Sequence, residues 1–314
     1  MQVHWNLEDR DRWEALADQN LAGLQQSWAY GQALQQLGVP CLRAVVTRES
    51  SAEAAWVGAA QFIVQRLPWF VRFAFTLGGP LWAEGLSVPE QREALAGLRR
   101  TLPLRRPRLA FFTPALNAYP TPPSDHPYSG RLRVATGGST VLLDLSQGLE
   151  LLRAAQEGRW RNRLAAAERS ALKVRVCGSK PSDYRWLVQA EATQRQERRY
   201  FALPTGFVEA FQAAHRKPSM AVLTLAAEVE KQPCAGMMFL LHGRSATYHL
   251  GWSSETGREL NAHNLLLWEG CRQLIERGVA RLDLGGVNTV KTPGLARFKM
   301  GSGGQVVTWA GTWL

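Results

Sequence analysis

The sequence predicts an α/β fold of the α+β type in two successive layered domains, and three observations lead there. Over 314 residues, helix-like and strand-like periods alternate, which suits sheets covered by helices. The strand-like runs follow one another closely and are rich in β-branched and aromatic residues, so each sheet should be mixed and mostly antiparallel. The order helix, helix, antiparallel strands, helix, strand then occurs twice, although no residue-level repeat is visible. With 46% hydrophobic and 20% charged residues, the chain is long enough for two domains, each of about 150 residues.

Taken in order, residues 9–17 and 27–37 read as helices. In the second, Trp28, Leu34 and Leu37 form an apolar stripe that Gly38, Val39 and Pro40 end. The period changes at 41–48, 54–67 and 69–79, which read as successive antiparallel strands. Residues 87–102 form a helix with Ser87 as N-cap and Pro89 in the first turn, followed by a strand at 108–116. Tyr119 to Ser139 reads as a long loop, with five Pro or Gly among its first twelve residues. That loop is the expected crossover, so with the strand at 140–146 the domains are 1–146 and 147–314. The second half runs through helices at 147–171 and 181–215, strands at 220–228, 234–242 and 245–252, a helix at 258–277, and strands at 280–285 and 305–313.

Composition narrows the function classes. The apolar stretches Trp56 to Val64 and Trp69 to Phe75 fall short of the roughly 20 residues of a membrane span. The N-terminal MQVHWNLEDRDRW is polar and acidic where a signal peptide is basic then apolar, so a cytoplasmic location is expected. Cys41, Cys177, Cys234 and Cys271 lie far apart and read as buried thiols, and the six histidines lack the spacing of a metal site. Neither a metal nor a cofactor is expected. The formal net charge of +11 points to an anionic partner: nucleic acid, a nucleotide sugar or a phospholipid surface.

The strongest local signal runs from Thr247 to Leu314, YHLGWSSETGRELNAHNLLLWEGCRQLIERGVARLDLGGVN and then GLARFKMGSGGQVVTWAGTWL. It combines a strand with an aromatic residue and Gly, a loop, a helix with Leu-Leu-x-Trp, a strand ending in Asp-x-Gly-Gly, and a late Phe-Lys-x-Gly. This order resembles the C-terminal domain of the Fem family, the nonribosomal peptidyl transferases that build peptidoglycan cross-bridges. QSWAYGQALQQLG (26–38), TLGGPLW (76–82) and RWRNRLAAAERSALKVRV (159–176) resemble earlier parts of the same family, so the likeness spans most of the chain. It implies two tandem GNAT-like domains with the active cleft near their junction. The implied reaction moves an amino acid from aminoacyl-tRNA onto an amine of a peptidoglycan precursor, lipid II or a UDP-MurNAc-peptide. Contact with the inner membrane face and the oligomeric state stay open.

Amide formation requires an amine to attack an ester carbonyl, and one positioned cation stabilises the oxyanion that develops. Lys299 is a lone lysine between an aromatic residue and a glycine-rich turn, in a chain that otherwise prefers arginine. By resemblance Lys299 polarises the carbonyl, and Phe298, with Arg297 beside it, faces the aminoacyl end of the tRNA; a solvated lysine at the start of a hairpin is the plainer alternative. Asp283, Gly285 and Gly286 close the strand RLDLGG, where the family shapes its substrate channel and where a tight turn would serve as well. Arg161 and Arg163, in a helix that also holds Arg159 and Arg169, suit the phosphates of a nucleotide or acceptor stem, or else a charged solvent face. By resemblance Tyr248 lies beside the substrate, and Trp28 marks the N-terminal helix of the motif.

Departures bear on the substrate. Four positions after Trp28 the family often has a basic residue for the precursor phosphate, and here stands Gln32. The Gly-Pro motif follows Gly78 and Gly79 rather than an arginine, and no coiled-coil arm fits between Tyr184 and Met220. The rival readings are an acetyl-CoA-dependent N-acetyltransferase, a tRNA-dependent transferase with another acceptor, and an RNA-binding protein. Against the first, WSSETGRELNAHN lacks the Arg/Gln-x-x-Gly-x-Gly/Ala spacing that holds a pyrophosphate at a helix N-terminus.

Overall fold

The computed structural model of the protein describes residues 1–51, 53–66, 72–118, 125–198, 203–204 and 206–314. The expected strand end and start at 67–71, the opening of the expected long loop at 119–124, and part of the expected helical stretch at 199–202 and 205 lie outside the described residues. The chain divides into two compact units, Met1–Ser139 with Val307–Leu314, and Thr140–Val306.

The first unit contains β1 (Gln2–Trp5), α1 (Arg10–Gln19), α2 (Trp28–Gln36), β2 (Cys41–Thr47), β3 (Trp56–Arg66), β4 (Arg72–Leu77), β5 (Leu81–Trp82), α3 (Val88–Thr101), β6 (Leu109–Thr113) and β7 (Arg133–Ala135). The second contains β8 (Ser139–Asp144), α4 (Leu149–Ala155), α5 (Gly158–Glu168), β9 (Lys173–Val176), α6 (Pro181–Arg198), α7 (Phe207–Ala214), β10 (Val222–Val229), β11 (Gln232–His242), β12 (Ser245–Ser253), α8 (Glu255–Glu259), α9 (Ala262–Glu276), β13 (Arg281–Val287) and α10 (Pro293–Met300). After these come β14 (Gln305–Thr308) and β15 (Thr312–Trp313).

The first sheet has the order β1-β2-β3-β4-β6-β15-β7, with β5 paired to β3, and the second β14-β8-β13-β12-β11-β10-β9. In each, a run of antiparallel strands ends in one parallel pair spanned by a helix: β4 with β6 across α3, and β12 with β13 across α9. This shared unit is the repeat that the order of elements predicted. It forms where the alternating strand faces bury Phe62 and Phe112 under Leu95 and Leu98 in the first unit, and Phe239 and Leu282 under Leu266 and Leu274 in the second.

The sequence placed the domain boundary at 146/147, whereas the contact units divide at Ser139/Thr140. Strand β8 lies inside the second sheet beside β13, which draws 140–146 into that unit. The single strand expected at 305–313 is two strands, β14 in the second sheet and β15 in the first. Between them Gly311 takes a φ of +134° and passes so close to β7 that a Cβ there would stand 2.5 Å from the Ala135 carbonyl oxygen. Strands β1, β5, β7 and β9, all of two to four residues, were too short to show a period.

Several residues of the N-terminal motif build this fold. Gln26, fully buried, donates to Thr76 Oγ1 (2.9 Å) and to the Leu77 carbonyl (2.8 Å), and accepts from the Gln61 backbone N–H (2.9 Å). Gly79 is tight for the same reason, since a Cβ there would lie 2.7 Å from Thr76 Oγ1. Arg43 places its guanidinium 3.8 Å over the Trp28 ring and donates to Gln61 Oε1 (3.0 Å) and to Gln32 Oε1 (3.4 Å).

Candidate active site

The site builds up from β13. Leu282 and Leu284 alternate into the core, leaving Asp283 on the other face. At Gly285 the backbone turns to a φ of +73°, which a glycine adopts without strain, and its N–H donates to Asp283 Oδ1 (2.7 Å). The Thr140 hydroxyl of β8 donates to the same carboxylate oxygen. Two partners thus fix Asp283, and the turn they hold presents the Gly286 carbonyl.

Helix α10 follows, with Pro293 in its first turn and Ala296 and Lys299 on its buried side. The sequence had read RFKMGSGG as a turn leading into a strand; instead Lys299 sits in the last turn of a helix, where the macrodipole favours a cation. It is 6% exposed, so the solvated-hairpin alternative does not describe it. Its Nζ donates to the Gly286 carbonyl (2.9 Å) and stands 5.8 Å from the centre of the Tyr248 ring. Burial lowers the Lys299 pKa to about 8, against the opposing pull of the Asp283 charge. One of its three N–H groups has a partner among the described residues, which leaves two able to donate to a bound group.

Tyr248 owes its position to a bulge. In the pairing of β12 with β11, Tyr248 faces Phe239 and Leu250 faces Met238, which leaves His249 as the extra residue. The Tyr248 side chain then lies over Gly251, where a Cβ would come within 1.9 Å of its hydroxyl oxygen. His249 packs by Phe207 (ring centres 5.9 Å apart), and burial pushes its pKa down to about 4, leaving it neutral near pH 7.

Phe298, half-buried, has its ring between those of Trp160 (6.0 Å) and His263 (6.1 Å), and its carbonyl accepts the Trp160 indole N–H (3.0 Å). That clamp ties α10 to α5. Arg297 is exposed on α10. Arg161 donates through Nη1 to the carbonyls of Ala154 (3.0 Å) and Gln156, satisfying the C-terminal end of α4, while Arg163 is exposed. Trp28 belongs to the first unit, where it is buried with Trp13, Val45 and Leu81.

Lys299, Asp283, Gly285, Gly286 and Tyr248 therefore come together, Phe298 backs them, and Arg161 serves a helix end. Sequence reasoning gave no role to Thr140, Gly251 or Trp160, although Gly251 and Trp160 lie inside motifs that it singled out. Among the described residues no group of three or more His, Cys, Asp or Glu could hold a metal ion, and the four cysteines are free and buried. Among the described residues no helix is long and apolar enough to cross a membrane.

Residues 154–300 match the family described as acetyltransferase (GNAT) domain. A comparison with curated protein sequences finds no match. Among solved structures the chain is similar to FemX, at 12% identity and a TM-score of 0.79, covering 99% of this chain and 96% of that one. It is also similar to the C-terminal domain of a putative lysylphosphatidylglycerol synthetase from Agrobacterium fabrum (14% identity, TM-score 0.57, 96% and 90% covered). A third likeness is to a tandem GNAT protein from the clavulanic acid biosynthesis pathway (12% identity, TM-score 0.53, 99% and 98% covered). Residues 154–300 thus match a GNAT domain, and the chain as a whole has the two-domain, tandem GNAT-like fold of FemX.

Proposed function

We propose that the protein transfers an amino acid from aminoacyl-tRNA onto an amine of a peptidoglycan precursor and so acts in cell-wall synthesis. The observation that carries this reading is Lys299, a buried ammonium anchored through one N–H on the Gly286 carbonyl. Acyl transfer to an amine without an enzyme-bound intermediate develops an oxyanion that such a group can stabilise. The acceptor nitrogen attacks the ester carbonyl and the C–N bond forms. The carbonyl oxygen, now negative, takes hydrogen bonds from Lys299, the bond to the ribose oxygen breaks, and a proton lost by the amine ends on that oxygen. The choice of donor and acceptor rests on the Fem-type order of motifs between Thr247 and Leu314, the FemX-like fold and the net charge of +11. Asp283, Gly285 and Gly286 shape the floor of the site, Tyr248 walls it, and Phe298 and Arg297 flank it. Arg163, with the free nitrogens of Arg161, meets substrate phosphates.

A second reading, transfer of an acyl group from a coenzyme A thioester, is favoured by the GNAT match over residues 154–300. Against it, the segment after β12 has no glycine-rich phosphate loop, and the Ser254 hydroxyl accepts the Gly257 N–H (3.2 Å) at the start of α8. The deciding experiment incubates the protein with total tRNA charged with labelled amino acids and with lipid II or its soluble nucleotide precursor, beside a parallel reaction with acetyl-CoA. Label that reaches the precursor and is abolished by ribonuclease establishes the proposal. Label that stays on tRNA while acetyl-CoA is consumed replaces it with the second reading.

A further inference from the structure

We propose that a concavity on the first unit, lined by Arg99, Arg100, Arg106, Arg108 and Arg131, is a binding site for a ligand bearing more than one phosphate group. The concavity measures about 810 Å³, within the range of small-ligand sites, and has no carboxylate in its lining. Five guanidinium groups around one hollow repel each other unless an anion sits among them. Planar guanidinium forks pair with phosphate oxygens two at a time, so a diphosphate would engage several at once.

Part of the cluster has a local explanation. Arg99 and Arg100 lie in the last turn of α3, where a cation suits the helix dipole, and Arg108 donates to the carbonyls of Arg100 (2.6 Å) and Leu104 (3.4 Å). Arg106 and Arg131 have no such employment: neither side chain makes a hydrogen bond or ion pair to another described residue. Arg131 is nonetheless half-buried, and burial with the nearby Arg99 charge lowers its pKa. A cation held part-way out of water beside a like charge weakens the fold, and it is retained more readily where a ligand supplies the counter-charge. Ala96 and Pro107 add apolar wall for the uncharged part of such a ligand.

The phosphate could be free in solution or displayed as a lipid headgroup, and the test separates the two. The full chain is titrated with inorganic pyrophosphate by calorimetry, and sedimented with phosphatidylcholine vesicles that contain or lack cardiolipin, a lipid with two phosphates in its headgroup. Both measurements are repeated with an Arg106→Gln/Arg131→Gln variant, whose thermal unfolding should match the parent. Binding of either probe that the variant weakens about tenfold or more supports the site and names the source. Overturning results are no binding of either probe by the parent, or binding that the variant keeps. So is arginine-dependent binding of a blunt RNA duplex when neither phosphate probe binds, which would make this face a nucleic-acid surface. None of these outcomes depends on the transfer reaction.

Discussion

At Lys299 burial and charge oppose each other, and both rate and stability follow from the balance. Replacing it by Met should lower transfer by about 10²–10³, the effect of removing one oxyanion donor. The fold should not weaken. The lysine's pKa drops from 10.5 to about 8 on folding, so its charged form opposes folding by about 3 kcal/mol below pH 8. That penalty fades as pH rises from 8 toward 10.5. Urea unfolding should therefore show the Met variant at least as stable as the parent at pH 7, with the advantage shrinking by pH 10. Asp283→Asn removes the charge that props up the lysine's proton while keeping an acceptor for Gly285 N–H. The alkaline fall in kcat/KM should then move to lower pH, and an unmoved profile would separate Lys299 from the rate. Both residues stood out in the sequence, as a lone lysine in an arginine-rich chain and as an acid before paired glycines. Thr140, 143 residues from Asp283, left no such mark, because only the sheet brings them together.

At the scale of the element, the turn at Gly285 and helix α10 form one device: the first aims a carbonyl and the second returns an amine to it. Gly285→Ala meets no crowding, since its Cβ would stand 3.7 Å from Lys299 Nζ, but it must hold a φ of +73°. The expected loss is about 1–2 kcal/mol of stability, with a fall in turnover as the Gly286 carbonyl drifts from Lys299. Thermal unfolding and single-turnover rates measure the two; a full rate in a destabilised variant would leave the turn structural only. The strands and longer helices were legible because their periods recur over many residues. Helix α10 was not, for it spans only eight residues, contains Gly294 and runs into three further glycines. Tertiary burial of Ala296 and Lys299 decides its conformation. The bulge at His249 was hidden likewise, because a strand pattern shows alternation and not the residue that interrupts it.

At the scale of the molecule, the duplicated order of elements was legible and the path of the chain was not. Strand β15 completes the first sheet between β6 and β7, and Trp313 stacks on Tyr128 with ring centres 4.9 Å apart. Deleting 307–314 should therefore destabilise the first unit and leave the amides of β10, β11 and β12 protected in hydrogen exchange. Equal loss of protection in both units would count against that division. The cause of the missed path is Gly311, one residue that turns an expected single strand into two belonging to different sheets.

The hydroxyls of Thr113 and Thr312, 199 residues apart, meet at 2.8 Å. A ribosome making this chain finishes the whole of Thr140–Val306 before it makes the strand that the earlier sheet needs. The second unit is contiguous in sequence and is made whole before that strand. The first unit waits with the flanks of β6 and β7 unpaired until translation has passed Trp313, so the half made first is completed last.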